Sequence, residues 1–149
     1  MNTKRFFLSW LFSSLVMFSL SYLWHGVILN DIARLSYPLG IFLTSSIVVY
    51  LILGFLLTRI FTMQFHKHIA KRPFLKGLIS GAILGASSYL FALVIGVSFN
   101  SSLTPEYILI DILWQIIEQS AGGITVAIVY VWLYDDDLLT ILTRKLFGD

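Results

Sequence analysis

Residues 107–134 read YILIDILWQIIEQSAGGITVAIVYVWLY, and their reading decides the fold. A helix needs roughly 20 residues to cross about 30 Å of hydrocarbon, and this run is longer. Only helices and closed barrels satisfy their backbone polar groups in lipid. The run is too continuous for a barrel strand, whose mark is short alternation. It therefore predicts a transmembrane helix. The puzzle is the polar line inside it. Asp111, Gln115, Glu118 and Gly122 recur at i, i+4, i+7 and i+11, with Gln119 beside them. That spacing puts them along one helix face.

Three further apolar runs, at about 6–29, 38–63 and 77–99, have the same character. Of the 149 residues, 58% are hydrophobic and 12% charged, against about 25% charged in an ordinary soluble domain. Mean hydropathy is +0.87. A soluble chain this short has no interior large enough to hide so much apolar surface, so its solvent is lipid. The expectation is an all-α polytopic membrane protein: one domain over 1–149, a four-transmembrane-helix antiparallel bundle. Cysteine is absent, which excludes disulfides and thiolate metal sites.

The joints agree. Pro38 stands at the start of the second run, where its missing N–H costs nothing. The turn-rich link 100–106 precedes the fourth. Short loops make neighbouring helices antiparallel. The first run follows Lys4 and Arg5, as a signal peptide does, but it is long and ends in Tyr22-Leu-Trp-His without a small-residue cleavage site. It reads as a retained helix.

With a cytoplasmic N-terminus, nine of the ten basic residues lie inside: Lys4, Arg5, Arg59, Lys67, Lys71, Arg72, Lys76, Arg144 and Lys145. Only Arg34 lies outside. This is a positive-inside pattern, so the basic balance reports topology rather than nucleic acid. Lys67, Lys71, Arg72 and Lys76 are also placed to meet anionic lipid head groups. In the tail, Asp135, Asp136 and Asp137 suit a helix start. Residues 136–147 then form a short amphipathic helix on the inner membrane surface.

In the third run, Gly77, Gly81 and Gly85 repeat every four residues, and Ser88, Ala92 and Gly96 extend the stripe. Small residues at this spacing let helix backbones approach closely. Tight packing within the chain is the favoured use, and a homodimer seam the other.

Glu118 falls near mid-membrane by its place in the fourth helix. An acid there costs roughly 2.5–3.5 kcal/mol on insertion scales, which makes it a candidate site. Two readings remain open. Glu118, Gln115 and Gln119 form a polar clasp bonded to serines of other helices, or they form a proton, ion or ligand site. No lysine or arginine lies in the hydrocarbon span as a counter-ion, so Glu118 is expected to be neutral and turned to the interior. Asp111 lies about one turn from the outer surface. His25, on a helix-one face with Ser14, Phe18 and Ser21, occupies similar depth and could meet it. The plainer reading is a histidine at the membrane interface beside Trp24. A single intramembrane histidine is too few for haem or metal, and His66 and His68 sit on the other side. No metal and no cofactor are expected.

Tyr22-Leu-Trp-His-Gly26, the glycine-stepped third helix, and Tyr107-Ile-Leu-Ile-Asp-Ile-Leu-Trp114 leading to Gly122 and Trp132 resemble a bacterial family of small four-helix membrane proteins. The resemblance covers roughly residues 8–134. Members of that family carry Trp-Tyr-Gly near the end of helix one, and here His25 stands at the tyrosine position. The family is of unknown function. The resemblance implies a four-helix fold in a bacterial inner membrane and supplies no activity.

No nucleophile elbow, phosphate-binding loop or His-Glu-x-x-His helix is present. The leading expectation is a non-enzymatic membrane protein that acts through an intramembrane polar pocket, or as an accessory subunit beside other membrane proteins. The alternative is an oligomeric transporter or channel passing protons or a small solute by Glu118. A membrane enzyme ranks last. The topology makes a direct prediction: in intact cells, reagents reach residues 64–76 only from the cytoplasm and residues 100–106 only from outside. Labelling of Lys71 from outside would reverse the orientation.

Overall fold

The computed structural model describes residues 3–30, 32, 38–63, 72–99 and 104–132, with backbone alone at 95–99 and 131–132. Arg34, His66, Lys67, His68 and Lys71 lie outside the described residues. So do the three consecutive aspartates, Arg144, Lys145 and the rest of the expected surface helix at 136–147.

The described chain forms α1 (Thr3–Ser21), a π-helical continuation (Tyr22–Ile28), α2 (Leu39–Thr62), α3 (Pro73–Phe99) and α4 (Pro105–Trp132). No strand occurs among the described residues. Four helices are long and apolar enough to cross a membrane: Thr3–Ile28, Leu39–Thr62, Pro73–Val94 and Pro105–Tyr130. Their outward side chains are aliphatic or aromatic, as at Leu15, Ile41, Ile52, Phe91 and Leu109. Such a surface is stable where the surroundings are hydrocarbon.

Prolines set the starts. Pro73 and Pro105 each open a helix, where a fixed φ and a missing N–H are tolerated. Hydrophobicity alone placed the third helix at 77. It begins four residues earlier, so Lys76 belongs to its first turn rather than to a loop. Lys76 Nζ donates to the Met63 carbonyl at 3.1 Å and stands 5.0 Å from the Phe61 ring centroid. That joins the end of α2 to the beginning of α3. Asn30, at φ 55°, closes the π segment in the left-handed conformation common just past helix ends.

Inside, serines and threonines return their hydroxyls to carbonyls three or four residues back. Ser13 and Ser14 bond Trp10 O, Thr58 bonds Gly54 O, and Thr125 bonds Ala121 O. These bonds satisfy the hydroxyls where water is absent. α1 meets α2 through edge-to-face rings, Phe6–Phe55 at 5.5 Å and Trp10–Phe55 at 5.7 Å. Trp10 Nε1 also donates to Leu51 O at 2.7 Å. Met17, Leu57, Phe61, Val126 and Ala127 form the apolar core, drawn from α1, α2 and α4.

The tightest pairing is α3 on α4. A Cβ added at Gly77 would overlap the Gly123 carbonyl, and one at Gly123 the Gly77 carbonyl. A Cβ at Gly81 would overlap the Gln119 carbonyl. At Gly85 it would stand 2.6 Å from the Gln115 carbonyl oxygen. The obstacles are backbone atoms, which cannot swing aside. Gly81→Leu should therefore destabilise the chain in detergent by at least the roughly 1–3 kcal/mol of core overpacking. Gly40→Leu, where nothing lies within 4 Å of the added atom, should leave the melting temperature unchanged. Equal melting temperatures for the two variants would show that the α3–α4 backbone contact is not close.

Candidate functional site

α4 is the central element, and its sides have different neighbours. Gln115, Gln119 and Gly123 turn their backbones to the α3 glycines. Trp114, Glu118 and Gly122 turn toward α1 and α2, where Met17 fills the space beside Gly122. Leu113, Ile117 and Ile128 are exposed. Gln115 joins the two sides, since its backbone faces Gly85 of α3 while its amide bonds Glu118. One side follows α3; the other carries Glu118 into the bundle.

Glu118 and Gln119 both have 0% of their surface exposed. Gln115 Nε2 donates to Glu118 Oε1 at 3.3 Å. The Tyr50 hydroxyl of α2 and Ser21 of α1 stand within reach of the same carboxyl, and of each other. The Trp114 indole also lies close to it, yet Trp114 Nε1 and Glu118 Oε2 are both buried without a hydrogen bond of good geometry. Neither the oxygen nor the nitrogen of the Gln119 amide has a partner either. On α4, a carboxyl oxygen and an indole N–H on one side, and an amide of the next residue, thus lack well-aligned partners. Buried polar groups are nearly always paired, and each exception costs about 1–3 kcal/mol.

Glu118 and Tyr50 each lie near the middle of their spans. The α3 glycines hold α4 close on one side, and α1 and α2 bring Ser21 and Tyr50 from the other. The result is a polar centre with an apolar core on one side and an aromatic stack on the other. That stack is Trp24 on Trp114, with ring centroids 4.2 Å apart and planes 12° from parallel.

The stack depends on the π-helix. Leu29 N bonds Trp24 O at 2.8 Å, a five-residue step. The wider turn shifts later side chains around the helix, and Trp24 stacks on Trp114 of α4. His25, next along, lines a cavity of about 30 Å³ with Ser21, Ser46, Tyr50 and others. Asp111 lies within electrostatic reach of Tyr89 on α3. The π turn was not foreseeable from Tyr22-Leu-Trp-His-Gly-Val-Ile.

Among the described residues, no three His, Asp or Glu side chains gather as a metal site. Tyr50 is the participant that sequence reading missed. Its signal was its position: tyrosines favour the two membrane interfaces, and a mid-span tyrosine needs a partner for its hydroxyl.

Gln119 gives the sharpest stability test of this centre. Gln119→Met keeps an unbranched side chain and removes two unpartnered polar atoms. It should raise stability by about 1–3 kcal/mol, read as a higher melting temperature in detergent. A lower one would mean that the amide has a partner in the folded protein. No family model matches the chain, and neither a curated protein nor a solved structure matches it.

Proposed function

We propose that this chain is a non-enzymatic integral membrane protein that binds a ligand or partner through the polar centre at Glu118. The observation that carries the reading is the unsatisfied Glu118 Oε2, buried beside Gln115, Tyr50 and Ser21. A clasp whose only task was to hold helices together would satisfy its own atoms. Tyr50, Ser21 and Trp114 stand beside this carboxyl as donors, and Oε2 still lacks a well-aligned bond to any of them.

The full arrangement proposed is an antiparallel bundle in a bacterial inner membrane, with both termini cytoplasmic and residues 136–147 on the inner surface. The charge distribution supports this orientation. Residue pairs along the Gly-x3-Gly stripe support the antiparallel course, since Gly77, Gly81 and Gly85 face Gly123, Gln119 and Gln115 in turn. That stripe is occupied within one chain, which favours packing over a homodimer seam. Burial of Glu118 and Gln119 inside a single copy likewise favours a pocket over an oligomer axis that conducts protons or solutes.

Native mass spectrometry of the full chain in lipid nanodiscs tests the reading. Wild type should retain a molecule or partner other than bulk lipid. Glu118→Leu should lose it while keeping the same helix content by circular dichroism. Identical spectra for the two proteins would overturn the proposal. Proton flux in liposomes that requires Glu118 would replace it with the transport reading.

A further inference from the structure

α2 and α3 touch each other little, and between them runs a groove of about 710 Å³. This lies within the roughly 300–1,000 Å³ of small-molecule sites. Ile52 and Leu56 of α2 and Leu84 and Phe91 of α3 line it with hydrocarbon. Several of these side chains are exposed on the outer, membrane-facing surface. The groove also reaches Gln115 of α4 and Tyr50 of α2, two of the residues that touch the Glu118 carboxyl.

We infer that this groove admits a neutral membrane amphiphile, a hydrocarbon chain ending in a hydroxyl or amide head, whose head reaches Gln115 and Tyr50 beside Glu118. The inference rests on the pocket reading above and names the class of ligand. Each part of the ligand answers an observation. The aliphatic walls and the opening toward lipid call for a hydrocarbon chain that enters sideways from the bilayer. Tyr50 and Gln115 call for a hydrogen-bonding head, which the acyl chains of bulk phospholipid do not carry at mid-membrane depth. The remaining polar lining, Ser87, Ser88 and Tyr89, is uncharged, and among the described residues no Lys, Arg, Asp or Glu lines the groove. A phosphate or carboxylate head would find no counter-ion there and would approach an acid. A charged head at this depth is costly, so a neutral one fits.

The test uses the full chain in nanodiscs and a photoactivatable diazirine monoacylglycerol. It should label the groove walls at Ile52, Leu56 and Phe91, saturably and in competition with unlabelled monooleoylglycerol. A diazirine phosphatidylcholine should bind there at least about tenfold more weakly, or about 1.4 kcal/mol. Gln115→Leu should weaken monoacylglycerol labelling by a similar factor while leaving phosphatidylcholine labelling unchanged. The double variant Ser87→Phe and Ala92→Phe, at two exposed groove positions, should abolish saturable labelling. Equal labelling by both probes would show that bulk lipid fills the groove and would overturn the inference. So would competition by a long-chain fatty acid or amine but not by monooleoylglycerol. Glu118-dependent retention in the nanodisc experiment would survive either result, so failure of the amphiphile and failure of the pocket are separable.

Discussion

Gly81 of α3 lies so close to the Gln119 carbonyl of α4 that one added carbon would overlap it. The remaining architecture depends on this approach. In lipid, helices gain little from burying apolar surface against each other, because the solvent is equally apolar; close backbone packing supplies the association. Three glycines on α3 and Gly123 on α4 provide that packing. They also fix how α4 is turned. With Gln115, Gln119 and Gly123 against α3, Glu118 is left facing α1 and α2. A rotation of α4 by about 100°, one residue's step, would carry Glu118 to the outward direction that Ile117 now faces.

The same constraint explains why a costly acid is tolerated at the centre. Ser21 and Tyr50 come to Glu118 from two other helices, and Gln115 from its own. The apolar core around Met17, Leu57 and Val126 closes one side. The Trp24–Trp114 stack closes another. π-Helical turns are frequent at functional sites, and here one sets the aromatic partner of α4. Atoms on Glu118, Gln119 and Trp114 remain without a well-aligned hydrogen bond, and the proposed binding role rests on them.

Much of the architecture was legible because lipid imposes simple rules. Spans follow from length and apolarity, and Pro38 marks a start. The four-residue glycine step gives a seam. What was not legible depended on geometry that one-dimensional spacing does not carry. The π turn at Tyr22–Ile28 has no marker in its residue types, so the Trp24–Trp114 stack could not be read from spacing. The polar line of α4 reads as one stripe at i, i+4, i+7 and i+11, but spacing does not show that Gln115 also turns its backbone to Gly85 of α3. Tyr50 hides within Ile47-Val-Val-Tyr-Leu-Ile-Leu, where an aromatic in an apolar run resembles a lipid-facing one. The first turn of α3 was lost to its charge: Lys76 looked like loop, although Pro73 begins the helix.

The central claim is that α4 turns Glu118 inward and Ile117 outward. Because the chain contains no cysteine, single cysteines can be placed at each position from 113 to 121 and spin-labelled in bilayers. Collision with dissolved oxygen, measured by electron paramagnetic resonance, then reports contact with lipid. The account predicts maxima at 113 and 117 and minima at 118 and 119. A maximum at 118, with 117 protected, would contradict it.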